Sequence, residues 1–365
     1  MDGTPLLGVR TGVGHTAAAT IDALSTRDDL DVTAYAITWR GRRALATALG
    51  TAARTAVRPI PARAVQAAWR RMNAPRIEWW TGPVDVVHGT NYVGPPARVP
   101  VLVSIYDVTF AINPELAAPN HNVELIRRAL DRGAMVHTNS EHVSALVGDV
   151  FGISADRVTC VYPGLLTTGA GDAERGRALT GAERYALFLG QLGPRKNVVQ
   201  LVRAFDAVAG DDPAVHLVLA GPDGDDSPNV AHAIGAATHG DRVHRLGYVS
   251  SAERLDLLAG ASVFTFPSLD EGFGHPPLEA MQAGVPVVAA DAGSLPEVLG
   301  DAALLVAPTD TDALAASITR ALLPDVAADL VTRGHAQAAR YRWDRCASEL
   351  SDLYHRLASG TTEAS

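Results

Sequence analysis

Short unbroken runs of apolar residues recur along the chain. Between them lie stretches in which apolar positions return every third or fourth residue. Runs at 84–88, 101–105, 135–138 and 158–161 predict strands in the first half, and runs at 185–190, 216–221, 243–247, 263–266 and 286–290 predict strands in the second. Continuous apolarity, in place of strict alternation, is the pattern of strands buried on both faces. The stretches 197–209 and 251–259 are amphipathic and predict helices. Strands alternating with helices in this way imply parallel sheets covered by helices, an α/β fold. A polar stretch at 166–183, rich in Gly and Thr, carries neither period and predicts a linker. The expected organisation is a domain at 1–168, a linker at 169–183, a domain at 184–342 and a last helix at 343–358.

Composition agrees with two domains, each large enough to hold a core: the chain has 365 residues, of which 47% are hydrophobic and 19% charged. The only two cysteines, Cys160 and Cys346, are far apart. They exclude a disulfide framework and a cysteine-based zinc site, and fit a reducing compartment. The net charge of −9 argues against nucleic acid as a partner. No apolar run is long enough to cross a bilayer. The stretch Leu6-Leu7-Gly8-Val9 is too short for a signal-peptide core, and no positive region precedes it. The expected location is cytoplasmic. Among 31 basic residues Lys196 is the one lysine, so its position carries information that an arginine's does not.

The richest segment follows the strand at 263–266 and reads Glu271-Gly-Phe-Gly-His-Pro-Pro-Leu-Glu279. Pro276 and Pro277 preset φ for a helix start, and Gly284 followed by Pro286 ends that helix. In open α/β sheets ligands sit beyond the carboxyl ends of strands, where glycines and a helix start let backbone N–H groups approach an anion. Carboxylates such as Glu271 and Glu279 accept hydrogen bonds from vicinal hydroxyls, as in sugars and riboses. On the residues alone, a second reading stands beside this one: Glu279 complements the helix start and Glu271 is solvated. The other segment runs from Gly190 through Arg195 and Lys196 to Asn197. It puts two cations before a helix start, where anions are favoured, and Asn197 with Gln200 reads as a capping pair.

These segments resemble the retaining glycosyltransferases of the GT-B fold, family 4, a group that includes sucrose synthases and bacterial mannosyltransferases. The likeness continues through Ala280-Met281, Gly284-Val-Pro-Val-Val288, Leu295-Pro-Glu-Val298 and Gly300-Asp-Ala-Ala-Leu-Leu-Val306. It implies two doubly wound Rossmann-like domains facing each other across a cleft. The nucleotide-sugar donor would bind the second and the acceptor the first, with neither metal nor cofactor. Within it Glu271 meets the donor sugar, Arg195 and Lys196 stabilise the leaving diphosphate, and Glu279 grips the ribose hydroxyls. Gly272, Phe273, Gly274 and Gly190 line the donor. Gly12 and Gly14, in Arg10-Thr-Gly-Val-Gly14, match a phosphate-side loop, although His15 stands where the family has Arg. Tyr106-Asp107 stands where relatives read His-Asp. With His15 these are the acceptor-side candidates. The wording is most similar to mannosyltransferases that use GDP-mannose, with UDP-sugars as the alternative donor and a glycan or lipid-linked acceptor. A nucleotide-sugar epimerase on the same fold, or a catalytically silent sugar-nucleotide-binding partner, is the rival function.

One segment lies outside the motifs. Between Val32 and Ile77 stand nine arginines (Arg40, Arg42, Arg43, Arg54, Arg58, Arg63, Arg70, Arg71 and Arg76) and no acidic residue. Leu45, Leu49, Val57, Val65 and Trp69 interleave with them. Basic amphipathic segments favour anionic membrane surfaces; an ordinary arginine-rich surface is the equal alternative, and an acidic soluble acceptor is a third reading.

Overall fold

A computed structural model describes residues 1–8, 12–50, 52–113, 115–116, 123–166 and 169–360, except for the Arg42 side chain. Val9, Arg10 and Thr11 of the first glycine loop lie outside the described residues. The chain forms two compact units. One takes the chain up to Ile112, a following stretch to Leu166, and everything from Tyr341 onward; the other runs from 167 to Arg340 with a few residues near 115.

The first unit has strands β1 (Thr33–Thr38) and β2 (Arg54–Pro59), and a parallel sheet of β3 (Val87–Gly89), β4 (Val101–Ser104), β5 (Met135–Thr138) and β6 (Val158–Cys160) in that order. The start of the chain joins the two. Asp2 forms a parallel bridge with Tyr35 of β1, and its N–H donates to His88 O of β3 at 2.8 Å. The last helix, Trp343–Ser359, belongs to this unit. Its apolar face, Cys346, Ala347, Leu350, Leu353 and Tyr354, packs on Leu24, Leu102 and Val161.

A buried polar chain fixes that helix to the sheet. Val161 O can only accept, so His137 Nε2–H donates to it at 3.2 Å. His137 Nδ1 then accepts from Ser104 Oγ–H at 2.8 Å, Ser104 Oγ accepts from His88 Nε2–H at 2.7 Å, and His88 Nδ1 accepts from Tyr354 O–H at 2.6 Å. One set of tautomers satisfies every group. Burial pushes the pKa of His137 down to about 4 and that of His88 well below its ordinary value, so both imidazoles are neutral.

The second unit is one six-stranded parallel sheet. Its strands are β7 (Arg184–Leu189), β8 (Val215–Ala220), β9 (Val243–Gly247), β10 (Val263–Phe266), β11 (Val287–Ala290) and β12 (Leu304–Val306). They lie in the order β12-β11-β10-β7-β8-β9. Strands β10 and β11 are buried along their whole length and β7 from Tyr185 onward, as their apolar sequences require.

Two expectations change here. The linker at 169–183 contains a helix, Ala173–Thr180, that belongs to the second unit. Asp172 caps it by accepting from the Glu174 and Arg175 amides, and buried Asp256 accepts from Asp172 N–H at 2.8 Å. The helix lies so close to its neighbour that a Cβ at Gly176 would stand 2.0 Å from Asp256 O. Backbone contact replaces the apolar stripe that periodicity would have shown. Thr167 and Thr168 lie outside the described residues.

The arginine-rich segment also loses its amphipathic face. Leu45, Leu49, Val65 and Trp69 are buried in the first unit, and Val57 packs against its core. Arg40, Arg43, Arg54, Arg58, Arg63, Arg71 and Arg76 stay exposed, with Trp39, Met72 and Trp79 as the large exposed apolar groups beside them. Arg58 lies 4.5 Å over the Trp79 ring. Among the described residues no helix is long and apolar enough to cross a membrane.

Candidate active site

Strands β7 and β10 are neighbours in the sheet but not in the chain. From β7 the chain winds outward through β8 and β9, then returns to β10 and winds the other way through β11 and β12. The carboxyl ends of β7 and β10 therefore flank the point where winding reverses, the place where open α/β sheets bind their ligands. The two segments singled out in the sequence are the loops after these two strands.

After β7 comes Gly190, whose N–H donates to Ala220 O at 3.0 Å, and then the single turn Pro194–Lys196. After β10 the chain reaches Glu271, whose residue is 7% exposed. Its carboxylate accepts from Arg195 Nη1 at 3.2 Å and from Lys196 Nζ. The loops are tied elsewhere too: Arg195 Nη1 donates to Asp270 O at 3.1 Å, and Leu269 N–H donates to Arg195 O at 2.8 Å. Lys196 Nζ lies 4.7 Å over the Phe266 ring, a cation–π contact that holds its stem. Behind Glu271, Ser294 N–H donates to Glu271 O at 3.0 Å. Gly293, at φ +60°, packs so tightly that a Cβ would stand 2.5 Å from Glu271 N.

Burial alone would push the Glu271 carboxyl up. Lys196 and Arg195 outweigh it and hold the pKa below its ordinary value. Two cations on one carboxylate leave a net positive charge beside the start of helix Val198–Asp211. Such a site suits a polyanion that carries hydroxyls next to its charge.

Glu279 sits on helix His275–Gln282, which Pro276 and Pro277 open as expected. It is 3% exposed, and its Oε2 accepts from both Arg254 Nε, at 2.9 Å, and Arg254 Nη2. Arg254 comes from helix Ser251–Gly260, opened by a capping box of Ser250 and Glu253. His275 lies in the field of both ion pairs, and its Nδ1 is buried without a hydrogen-bond partner among the described residues. Burial, then Arg254, pushes its pKa down to about 3, so the imidazole is neutral. Gly272, Phe273 and Gly274 are buried between the two carboxylates, with Phe273 edge-on to His275 at 4.8 Å.

The family model for glycosyl transferases group 1 matches residues 173–334, which contain this entire arrangement. The chain is 30% identical over 287 residues to the O-antigen chain mannosyltransferase B of Escherichia coli, across 74% of each protein. The chain belongs to the group 1 glycosyl transferases. It is also 32% identical over 180 residues to a phosphatidyl-myo-inositol mannosyltransferase of Mycolicibacterium smegmatis, across 48% of this chain and 46% of that one. In fold it is similar to the sucrose-phosphate synthase of Thermosynechococcus elongatus, with a TM-score of 0.74, 20% identity and 98% of both chains covered. A second likeness is to Anabaena HepE, solved with UDP and glucose, with a TM-score of 0.72, 20% identity and 97% of both chains covered.

In this glycosyltransferase Arg195, Lys196 and Glu271 form one cluster in the second unit, and Glu279 stands at the other end of the same loop and helix. The capping pair is a correction. Asn197, at φ +56°, makes no side-chain cap; its Nδ2 donates to Pro267 O at 3.1 Å and Pro308 O at 2.8 Å. Gln200 Nε2 donates to Thr309 O at 3.0 Å and Thr311 Oγ1 at 2.5 Å. Both amides are turned as donors toward loop oxygens, so neither accepts from the helix start.

The remaining candidates belong to the first unit. Gly12, Gly14 and His15 form the first turn of helix Gly12–Ser25, with His15 exposed. Tyr106 is buried beside Ser104, and burial raises its phenol to about 12. Asp107 accepts from Thr109 N–H at 3.2 Å at the start of the short helix Thr109–Ile112, a turn contact at the strand end. His88 is a core histidine in the polar chain described above. Arg254 is the residue that sequence reasoning missed. Its signal, a basic residue one turn after a capping serine, is too common to stand out.

Proposed function

We propose that this glycosyltransferase is a retaining, metal-independent hexosyltransferase that moves mannose from GDP-mannose to a glycan or lipid-linked acceptor. The observation that carries the reading is the convergence of Arg195, Lys196 and Glu271 at the point of winding reversal, with Glu279 eight residues further on. In this reading Arg195 and Lys196 hold the donor diphosphate. As the bond from the anomeric carbon to the phosphate oxygen breaks, negative charge builds on that oxygen. Fixed cations then stabilise the transition state more than the ground state. Glu271 orients the sugar through its hydroxyls, and Glu279 takes the ribose hydroxyls. The acceptor oxygen bonds to the anomeric carbon on the face the diphosphate leaves, and its proton passes to the departing phosphate oxygen. No residue serves as an enzymatic nucleophile.

The names of the relatives, an O-antigen chain mannosyltransferase and a phosphatidyl-myo-inositol mannosyltransferase, support mannose and glycan or lipid acceptors. The exposed arginines of 40–76 support an anionic surface as the place where such an acceptor is met. Co-sedimentation with anionic but not neutral vesicles is the expected outcome.

The test is incubation with GDP-mannose or UDP-glucose and candidate acceptors, reading nucleotide release, product mass and anomeric configuration by NMR. The expected product carries mannose in the donor's configuration. An inverted product overturns retention. Transfer from UDP-glucose alone overturns the donor. Isomerised donor without acceptor supports an epimerase, and binding without turnover supports a silent partner.

A further inference from the structure

Glu279 is almost wholly buried, and Arg254, which pairs with it, comes from a different helix. Arg254 puts Nε and Nη2 on the same carboxylate oxygen, Oε2. The final torsion of a glutamate is broad, so an unanchored carboxylate has no fixed direction for its oxygens. Recognition of two vicinal hydroxyls needs that direction to be fixed. Two N–H groups of a planar guanidinium on one oxygen fix it, which the point charge of a lysine does not.

We propose that Arg254 is a positioning residue for nucleotide recognition. It holds Glu279 in the orientation that reads the hydroxyls of the donor ribose. This rests on the ribose role of Glu279 proposed above. It adds that ribose discrimination depends on the loop after β9, which leads into the Arg254 helix, as well as on the motif after β10. It also gives Arg254 a role distinct from that of Arg195 and Lys196: it acts through a carboxylate and touches no phosphate.

The experiment compares GDP and UDP with their 2′-deoxy and 3′-deoxy counterparts by calorimetry on the full chain, in the wild type, Glu279→Gln, Arg254→Met and Arg254→Lys. The wild type is expected to prefer the ribonucleotide by about tenfold or more, as sites built to bond a hydroxyl do. Arg254→Met should lose that preference to within about twofold while its affinity for the deoxynucleotide changes little, since only the hydroxyl contact depends on orientation. Arg254→Lys should keep part of it. A merely structural Arg254 would weaken both nucleotides alike and preserve the ratio, and that result overturns the proposal. Should Arg254→Met fold poorly, the ratio in Arg254→Lys decides: a full wild-type preference refutes the need for the guanidinium.

The two readings fail differently. If Glu279→Gln keeps the preference, or the wild type has none, the ribose role is wrong and the positioning role falls with it. If Glu279→Gln loses the preference and Arg254→Met keeps it, only the positioning role is wrong.

Discussion

Replacing Lys196 by Met removes one charge, and with it the ammonium over Phe266, while keeping an apolar stem of similar length. In the native protein Glu271 accepts from two cations, and its side chain and that of Lys196 are 8% and 17% exposed. Taking one partner from a buried pair costs about 3–5 kcal/mol, because a charge is left uncompensated. Arg195 remains 3.2 Å away, so the lower end applies, about 3 kcal/mol. For a unit of this size each kcal/mol moves the midpoint by roughly 2–4 °C, giving a fall of about 6–12 °C in the calorimetric transition of the second unit.

The pH dependence follows from the sign of the Glu271 shift. A depressed carboxyl contributes stability that is complete above its unfolded value, near 4.5, and is lost as pH falls through the folded value. The difference between wild type and Lys196→Met should therefore be full at pH 7.5 and narrow below pH 4.5. Turnover at pH 7.5 should fall by at least about 100-fold if Lys196 stabilises the leaving phosphate. A midpoint within a degree of wild type at pH 7.5 would refute the ion-pair energetics, and near-normal turnover would refute the catalytic role.

Glu279→Ala should weaken nucleoside diphosphate binding by about 1–3 kcal/mol, measured by calorimetry, and an unchanged affinity removes Glu279 from the ribose. Gly293→Ala forces a Cβ against the Glu271 backbone at φ +60°. It should destabilise by about 1–3 kcal/mol and cut turnover at least about tenfold, so normal turnover would show that this backbone does not hold Glu271 in place. Ser104→Ala strands His88 Nε2–H and His137 Nδ1, and should cost roughly 3 kcal/mol in thermal unfolding; a neutral outcome refutes the continuous chain. The wild-type midpoint should fall as pH drops from 6.5 toward 4, because the unfolded histidines take protons that buried His88 and His137 refuse. A flat profile over that range contradicts their buried neutral state.

The second unit was largely legible, because its central strands are near-continuous apolar runs buried on both faces. Tyr185, Phe188, Phe264 and Val287 have no solvent-facing alternative to blur the pattern. The strands that escaped have physical reasons to do so. Arg54–Pro59 is an edge strand with its ends exposed and a proline at its close, Thr33–Thr38 begins and ends in threonine, and Leu304–Val306 is three residues long. Within the site, the spacing of Glu271 and Glu279 was visible because both lie on one loop and helix. The Arg254–Glu279 and Arg195–Glu271 pairs were not visible as pairs, because strand order brings residues 25 and 76 positions apart into contact. Nothing in a local window encodes strand order.

The placement of the last helix has a consequence for synthesis. Cys346, Leu350, Leu353 and Tyr354 close a core whose other wall, Leu24, Leu102 and Val161, is made long before them. While the chain is being made, the first unit waits with that wall uncovered until the second has been synthesised in full, so the order of completion is the reverse of the order of translation. A stop codon after Arg340 would leave the whole second unit intact in sequence and unroof the first. Damage at the 3′ end of the message would be read out in the amino-terminal half of the protein.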